Sequence, residues 1–155
     1  MVLLVIGIVS AIVMPRYSGV LRQQDMRRTI NVIRGTVRYL QARAALTKRV
    51  YRLTFDLDQQ EMSVCFLIPE GCEPESTREL REYTFPKTVR VLDMVNPHGE
   101  KTQEGEAATH FHPTGLAEPS TIHLGGEGQP QKTMRIESLT GRVKVFDGYV
   151  DPEKG

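Results

Sequence analysis

Three hydrophobic patterns follow one another along the chain. The segment from Met1 to Met14 contains no charged residue, and Val2 to Val9 would be apolar on every side of a helix apart from Gly7. After Pro15, apolar residues recur every three or four positions as far as about Lys48, which is the spacing of a helix with one covered face. From residue 50 the period falls to two, which is typical of half-buried strands. The pattern predicts a long N-terminal helix followed by a β-sheet body.

The helix has a predicted covered stripe and a predicted polar face. The stripe consists of Ile30, Ile33, Val37, Leu40 and Ala44, and the other face carries Arg27, Arg34, Arg38 and Gln41. Val20 to Asp25 offers little apolar surface to bury, so we expect it to connect the apolar part to the packed part. A straight helix of this length would extend about 70 Å, more than a domain of this size can cover, so part of it must protrude. Pro15 is expected to bend or loosen the helix.

Alternating residues predict an antiparallel β-hairpin at the start of the body. Its two arms are Tyr51 to Leu57 and Met62 to Ile68, with Asp58-Gln59-Gln60 between them. Further short strands are expected at Val89–Met94, Thr109–His112, Thr121–Leu124, Lys132–Glu137 and Arg142–Phe146. We expect Glu75 to Glu82 to form a surface turn of helix, and Gly99 to Glu106 to form an exposed loop.

Length and charge fit one globular domain with an appendage. The chain has 155 residues, of which 25% are charged. We divide it into residues 1–48, where 1–20 form a membrane or filament part and 21–48 pack on the body, and residues 49–155, the β domain. Residues 1–50 contain nine Lys and Arg against Asp25 alone, whereas the remainder contains 11 basic and 18 acidic residues. The basic segment indicates a membrane surface or an acidic neighbour, although a solvated helix face would also explain it.

The uncharged opening segment is interpreted as part of a membrane span. It is shorter than the roughly 20 apolar residues that a complete span needs. No basic residues precede it and no small-residue cleavage site follows it, so it differs from a secretory signal. A core helix of a soluble domain would alternate faces, and this segment does not. The predicted membrane and filament residues are Val2, Leu3, Leu4, Val5, Ile6, Gly7, Ile8, Val9, Ile12, Val13 and Pro15.

The opening segment from Val2 to Tyr17 has the sequence V-L-L-V-I-G-I-V-S-A-I-V-M-P-R-Y. It resembles the second part of the N-terminal helix of type IV pilins and type II secretion pseudopilins. A glycine within the span and a proline eight residues later recur in that family, and they match Gly7 and Pro15. The resemblance also implies a prepilin-peptidase site, a phenylalanine and a glutamate upstream of this string. We therefore expect the encoded chain to begin further upstream.

The C-terminal half resembles the H-type minor pseudopilins (GspH/FimT family). The matching strings are F-H-P-T-G-L-A from Phe111, T-I-H-L-G-G from Thr121 and M-R-I-E-S-L-T-G-R-V-K-V from Met134. The resemblance implies an α+β, pilin-like fold, in which the C-terminal half of the helix packs on an antiparallel body of two small sheets. It also implies a non-catalytic subunit of a type II secretion pseudopilus, taking part in protein export. Such a subunit has a single N-terminal span in the inner membrane, a periplasmic body, and pilin-like partners bound through N-terminal helices.

Cys65 and Cys72 flank a turn, Pro69-Glu70-Gly71, that could bring them together. In an oxidising periplasm a disulfide here would stabilise the domain by roughly 2.5 kcal/mol. Two unpaired thiols are the alternative. The spacing differs from that of a C-x-x-C redox pair, and the sequence has no further cysteines for a zinc site.

No catalytic or cofactor site is predicted. His110 and His112 would share one strand face, with His98 or His123 as a third ligand, but two histidines do not make a metal site. The sequence shows neither a G-x-S-x-G turn nor a paired-carboxylate pattern. The glycines from Gly125 to Gly128 lack the lysine of a phosphate-binding loop.

Two rival functions stay open. Some minor pilins of DNA uptake bind DNA through a G-R-x-R motif, and Gly141-Arg142-Val143-Lys144 is similar, with Lys144 in place of the last arginine. The acidic body opposes such binding, because phosphate neutralisation dominates it. The other rival is a soluble periplasmic β domain with a peripheral amphipathic anchor. Under the pseudopilin hypothesis, the basic helix face, including Arg34 and Arg38, would contact acidic bodies of adjacent subunits.

Overall fold

The computed structural model describes residues 2–77 and 82–152, and for residues 2–18 it describes the helical backbone but not the side chains. The described residues form one helix followed by ten strands. The fold is α+β, with a long N-terminal helix and two antiparallel sheets. The predicted fold class is therefore confirmed.

Helix α1 runs from Val2 to Thr47 without interruption at Pro15. The bend predicted at Pro15 stays a prediction. At the C-terminal end the Thr47 hydroxyl donates to the Arg43 carbonyl at 2.8 Å, and Lys48 adopts a left-handed φ of 57°, a common way to end a helix. The predicted stripe is fully or almost fully buried, and Met26 extends it by one turn; its members are Met26, Ile30, Ile33, Val37, Leu40 and Ala44.

The first sheet contains five strands in the order β3-β2-β1-β7, with β4 also paired to β2. Their bounds are β1 Tyr51–Asp56, β2 Glu61–Ile68, β3 Gly71–Pro74, β4 Glu82–Thr84 and β7 Glu106–Phe111. The predicted hairpin is β1 paired with β2, in a register that places Leu53 opposite Val64 and Phe55 opposite Met62. All four side chains are buried, as the alternation predicted.

The second sheet has the order β10-β9-β8-β5-β6. Its strands are β5 Arg90–Val95, β6 Lys101–Thr102, β8 Ser120–Gly126, β9 Gln129–Ile136 and β10 Val143–Asp147. The buried stripe of α1 and the apolar residues of both sheets form one core. Its largest fully buried apolar side chains include Phe55, Phe111, Ile33, Leu40, Met94 and Ile122.

Three short strands, β3, β4 and β6, were not predicted. Glu75 lies between elements, Ser76 and Thr77 form a bend, and Glu82 begins β4, so the expected helical turn is wrong in these described parts. Its centre, residues 78–81, lies outside the described residues. The expected loop from Gly99 to Glu106 is mostly exposed, but it contains β6 and the first residue of β7.

A disulfide joins Cys65 in β2 to Cys72 in β3, with 5.7 Å between the two Cα atoms. The two strands form a second hairpin at the edge of the first sheet, in which Leu67 lies opposite Cys72. All four residues of β3 are exposed, so little apolar burial holds this strand in place. The disulfide therefore fixes an edge that packing alone leaves weakly held.

Candidate functional site

The exposed side of α1 carries three arginines in one row. Arg27, Arg34 and Arg38 are spaced by seven and four residues, so they follow the same side of the helix. Arg27 and Arg38 are exposed, whereas Arg34 is half-buried and its Nε has no hydrogen-bond partner in the described part of the chain. Among the described residues, none of the three forms an ion pair. We call these three residues the arginine row.

The C-terminal end of the arginine row reaches a concavity of about 450 Å³ between α1 and two turns of the body. Arg38 and Arg142 both line it. Gln41 crosses from the helix to the body, and its Nε2 donates to the Gly115 carbonyl at 2.7 Å. Guanidinium groups on two walls of one concavity favour an anionic group as its occupant, because each can bind a carboxylate through two N–H donors.

Gly141 lies where the turn between β9 and β10 packs against the helix. Its φ is +56°, and a Cβ at this position would lie 1.9 Å from Oε1 of Gln41. The positive φ therefore favours glycine, and a Cβ would in addition displace the Gln41 amide from its hydrogen bond to Gly115. This glycine of the T-G-R-V string is explained by its backbone conformation and its position beside Gln41.

The predicted DNA-binding pair consists of Arg142 and Lys144, and both are exposed. Nζ of Lys144 lies 2.5 Å from Oε1 of Glu137. That hydrogen bond from Lys144, together with one from the Thr140 hydroxyl and the nearby charge of Arg142, lowers the pKa of Glu137 below its usual value. The carboxylate of Glu137 thus offsets the charge of Lys144, and the DNA-binding alternative gains no support from this arrangement.

A group of carboxylates lies at the opposite end of the first sheet from Tyr51. In the register of three adjacent strands, Asp56 lies opposite Glu61 on one side and opposite Glu106 on the other. Asp58 and Glu104 belong to the neighbouring turns, where Oδ2 of Asp58 accepts from the Gly105 amide at 3.1 Å. In the described residues, no basic side chain pairs with any of the five. We call Asp56, Asp58, Glu61, Glu104 and Glu106 the acidic end.

Of the two histidines that were expected to share a strand face, His110 contacts a carboxylate of the body. Nδ1 of His110 lies 2.7 Å from Oε2 of Glu118, and His112 follows the end of β7. The described residues contain no group of three or more His, Cys, Asp or Glu side chains arranged to hold a metal ion.

Sequence reasoning missed a network around His123, which is fully buried. Its Nδ1 lies 2.5 Å from Oδ1 of Asp93 and its Nε2 lies 2.9 Å from the Val150 carbonyl. The ring of Tyr149 stacks on the imidazole at 3.8 Å, and its hydroxyl donates to Oδ2 of Asp93 at 2.9 Å. The network attaches the segment after β10 to the second sheet.

The segment of α1 that precedes the covered stripe exposes apolar side chains. Val20 is 56% exposed and Leu21 is 61% exposed. The side chains of the predicted membrane and filament residues, from Val2 to Pro15, lie outside those that the structure describes. Where side chains are described, no helical stretch is both long and apolar enough to cross a membrane.

Comparison with solved structures identifies a similar fold. The chain is similar to the minor pseudopilin EpsH from the type II secretion system of Vibrio cholerae, with a TM-score of 0.67 and 13% identity over 82% of this chain and 99% of that one. A second structure of the same protein, a crystal structure, gives a TM-score of 0.66, with 13% identity over 79% of this chain and 96% of that one. No family model and no curated protein matches the sequence. The pilin-like fold expected from the sequence is confirmed by this similarity.

Proposed function

We propose that the chain is a minor pseudopilin, a structural subunit of a type II secretion pseudopilus that takes part in protein export. The observation that carries the proposal is the match to EpsH, which extends over 99% of that chain. The sequence strings around Pro15, Pro113 and Gly141 resemble the same family, independently of the fold. Its role is assembly with other pilin-like subunits rather than catalysis.

The apolar segment of α1 before its buried stripe supports an assembly role. The helix has 46 residues, or about 69 Å at 1.5 Å per residue, and among its described side chains the buried stripe begins at Met26. The uncharged segment from Val2 to Met14 precedes the exposed pair Val20 and Leu21. Covering such apolar surface gains about 25 cal/mol per Å² relative to water. We propose that residues 1–20 lie first in the membrane, as part of a single span, and then among the helices of other subunits.

The hydrophobic effect contributes little to the transfer of this subunit from the membrane into a filament. Lipid tails are as apolar as a bundle of helices, so the move from membrane to filament gains little from the hydrophobic effect. Packing between helices and contacts between bodies must then hold the subunit in place. We expect an external motor to drive the move.

The disulfide supports a periplasmic body. Bonds such as Cys65–Cys72 persist in oxidising compartments and are rare in the cytosol. In the proposed topology, residues 21–48 pack on the body, residues 49–155 form the periplasmic domain, and the inner membrane holds the start of the helix. Alkylation of the intact protein before and after reduction, followed by mass measurement, tests whether both cysteines are oxidised in cells.

A deletion strain tests the export role. In the bacterium that encodes the chain, we expect deletion of the gene to abolish or reduce export of secreted proteins, and the wild-type gene to restore it. The double variant Ile8→Asp, Val9→Asp should fail to restore export, because two carboxylates oppose both the membrane and the helix bundle. Unchanged export after deletion would contradict the proposal.

Carbonate extraction tests the membrane part separately. The wild-type chain should stay in the membrane fraction, and the Ile8→Asp, Val9→Asp variant should be released. Leu139→Asp is the matched control, since Leu139 is an apolar residue of the body that is 82% exposed. It should stay with the membrane. Release of the wild-type chain would favour a peripheral anchor.

A further inference from the structure

We infer that a groove between the start of α1 and the second sheet binds the headgroup of an anionic phospholipid. The groove has a volume of about 360 Å³, within the range of small-molecule sites. Helix residues 19–30 form one wall, and residues 128–132 with Val145 form the other. We call it the basic groove. The inference rests on the proposed membrane part of the chain and names a ligand for the adjoining part of the body.

Helical spacing places two arginines on the two sides of the basic groove. Gln23, Met26 and Ile30 line it and recur at intervals of three and four residues, so they follow one face of the helix. At 3.6 residues per turn, Arg22 and Arg27 lie about 140° apart around the helix, one on each side of that face. Both arginines line the groove. Two guanidinium groups can therefore contact one occupant from opposite sides.

Most N–H donors of the two arginines are free to bind a ligand. Nη1 of Arg22 donates to the Glu127 carbonyl at 3.4 Å, and this is its one hydrogen bond with the described residues. A Cβ at Gly128 would lie 3.0 Å from the same nitrogen, so the glycine leaves room for the guanidinium beside the turn. Arg27 is exposed and forms no ion pair with the described residues. Guanidinium groups bind phosphate oxygens through pairs of parallel N–H donors.

The charge of the basic groove favours an anionic headgroup over a zwitterionic one. Its described lining includes Arg22, Arg27 and Lys132 but no acidic residue. Lys132 pairs with Asp147, so the two arginines supply the charge that is not offset. The cation of a zwitterionic headgroup would find no carboxylate among these lining residues. An anionic headgroup brings phosphate and hydroxyl groups alone, which the arginines can bind.

The inner surface of the basic groove is apolar. Met26 and Ile30 are buried, and Val145 is partly buried against the same core. A free phosphate ion would leave this surface in contact with water. The glycerol and upper acyl carbons of a phospholipid would cover it, which is favourable by about 25 cal/mol per Å². The combination of guanidinium groups and apolar surface thus favours a lipid over an inorganic anion.

The position of the groove along the helix agrees with the depth of lipid headgroups. In the proposed topology residues 1–20 lie in the membrane, and the headgroup layer on each side of a bilayer is about 5–7 Å thick. Arg22 lies about 3 Å beyond residue 20 along the helix axis, and Arg27 lies about 10 Å beyond it. Side chains on a helix tilt toward its N terminus, which here is the direction of the membrane. Both guanidinium groups can therefore reach the same headgroup.

Lipid titration provides the test, with the full-length chain in non-ionic detergent and native mass spectrometry to count bound molecules. The probes are phosphatidylglycerol, phosphatidylcholine with the same acyl chains, and inorganic phosphate as a competitor. Arg27→Gln is compared with Arg28→Gln, because both side chains are exposed and adjacent in sequence but Arg28 is not among the lining residues. The double variant Arg22→Gln, Arg27→Gln is compared with Arg28→Gln, Arg38→Gln, which removes the same charge from the helix outside the groove.

We expect one phosphatidylglycerol to bind at least about tenfold more tightly than phosphatidylcholine. Arg27→Gln should weaken phosphatidylglycerol binding by at least about fivefold and the double variant by at least about tenfold, because charge-assisted hydrogen bonds are lost. The two controls should stay within about twofold of the wild-type chain. Circular dichroism should show unchanged folding in all four variants.

Equal affinity for the two lipids, or equal losses in the variants and their controls, would overturn the inference. Inorganic phosphate that displaces phosphatidylglycerol at equal concentration would overturn it as well, because the groove would then be a site for a free anion. Such results leave the export and carbonate-extraction tests unaffected, since those tests depend on the apolar start of the helix. Conversely, release of the wild-type chain by carbonate would refute the membrane part even if the purified chain bound phosphatidylglycerol in detergent.

Discussion

Two successive segments of α1 differ in what covers them. Gly19 to Asp25 exposes Val20 and Leu21, whereas in Met26 to Ala44 the apolar stripe lies under the body. Leu21 is 61% exposed and Leu40 is completely buried, although both are leucines of the same continuous helix. Residue type therefore does not decide burial here. The sheets cover one segment, and in the described residues no element packs over the apolar side chains of the other.

The largest expected effect on the free energy of unfolding comes from a substitution in the covered segment. Leu40→Ala should lower the free energy of unfolding by about 3 kcal/mol, because it removes buried surface and leaves a cavity. Leu21→Ala should change it by less than about 0.5 kcal/mol. Urea unfolding followed by circular dichroism measures both. Equal losses at the two leucines would show that the leading segment is also covered within the chain.

A smaller loss is expected where the covered segment contacts the turn between β9 and β10. Gly141→Ala should cost about 2 kcal/mol, since alanine disfavours a φ of +56° and its Cβ would overlap Gln41. In a Gln41→Ala background the overlap is absent, so the same substitution should cost about 1 kcal/mol. A double-mutant cycle by urea unfolding separates the two contributions. Identical costs in both backgrounds would contradict the close approach.

The boundary between the two segments has its own hydrogen bond. The Thr88 hydroxyl donates to Oδ2 of Asp25 at 2.6 Å, one residue before the buried stripe. Thr88→Val should lower stability by about 1 kcal/mol and increase amide hydrogen exchange near Met26. Thr84→Val is the control, because it breaks a similar bond to Glu61 at an exposed site. It should leave exchange in α1 unchanged, and an effect there would place the boundary elsewhere.

The smallest expected effect is a change in the pKa of Glu137, which compares a basic residue that has an ion-pair partner with one that has none among the described residues. Lys144→Met should raise the pKa of Glu137 toward its usual value, because the hydrogen bond from Lys144 contributes most to the lowering. In the wild-type chain, the stabilising effect of this pair is present above the pKa that Glu137 has in the unfolded chain. It is lost as the pH falls through the lowered folded pKa. Titration of the Glu137 carboxyl by NMR measures the shift. Arg38→Met, in the unpaired arginine row, should leave that titration unchanged.

Periodicity was sufficient to predict the helix and the first hairpin, because each of them buries one face. The five further strands were predicted together with the turn residues between them, since β8 is buried on both faces and no residue of β10 is fully buried. The remaining strands gave no such signal. All residues of β3 are exposed, and β6 consists of Lys101 and Thr102 alone. Their pairing depends on neighbouring strands rather than on their own alternation. The charge of the segment from Glu75 to Glu82 led to the expectation of a helical turn, but its described ends form a bend and the first residue of β4.

The candidate surfaces differed in how far the sequence predicted them. Helical spacing was enough to place Arg27, Arg34 and Arg38 on one side. The acidic end requires the register of three strands, and its carboxylates are up to 50 positions apart in the chain. The motif at Arg142 and Lys144 suggested an available positive charge, but only the folded chain brings Glu137 to Lys144. The His123 network likewise joins residues that are distant in sequence.

The position of Pro15 has a mechanical consequence. About 10 Å of helix separates this residue from Arg22, whose Nη1 donates to the Glu127 carbonyl of the body at 3.4 Å. If the helix bends at Pro15, that length acts as a lever arm, and a bend of about 20° displaces the start of the body by about 4 Å. A proline that precedes the first described contact with the body would thus control where the domain lies relative to the start of the helix.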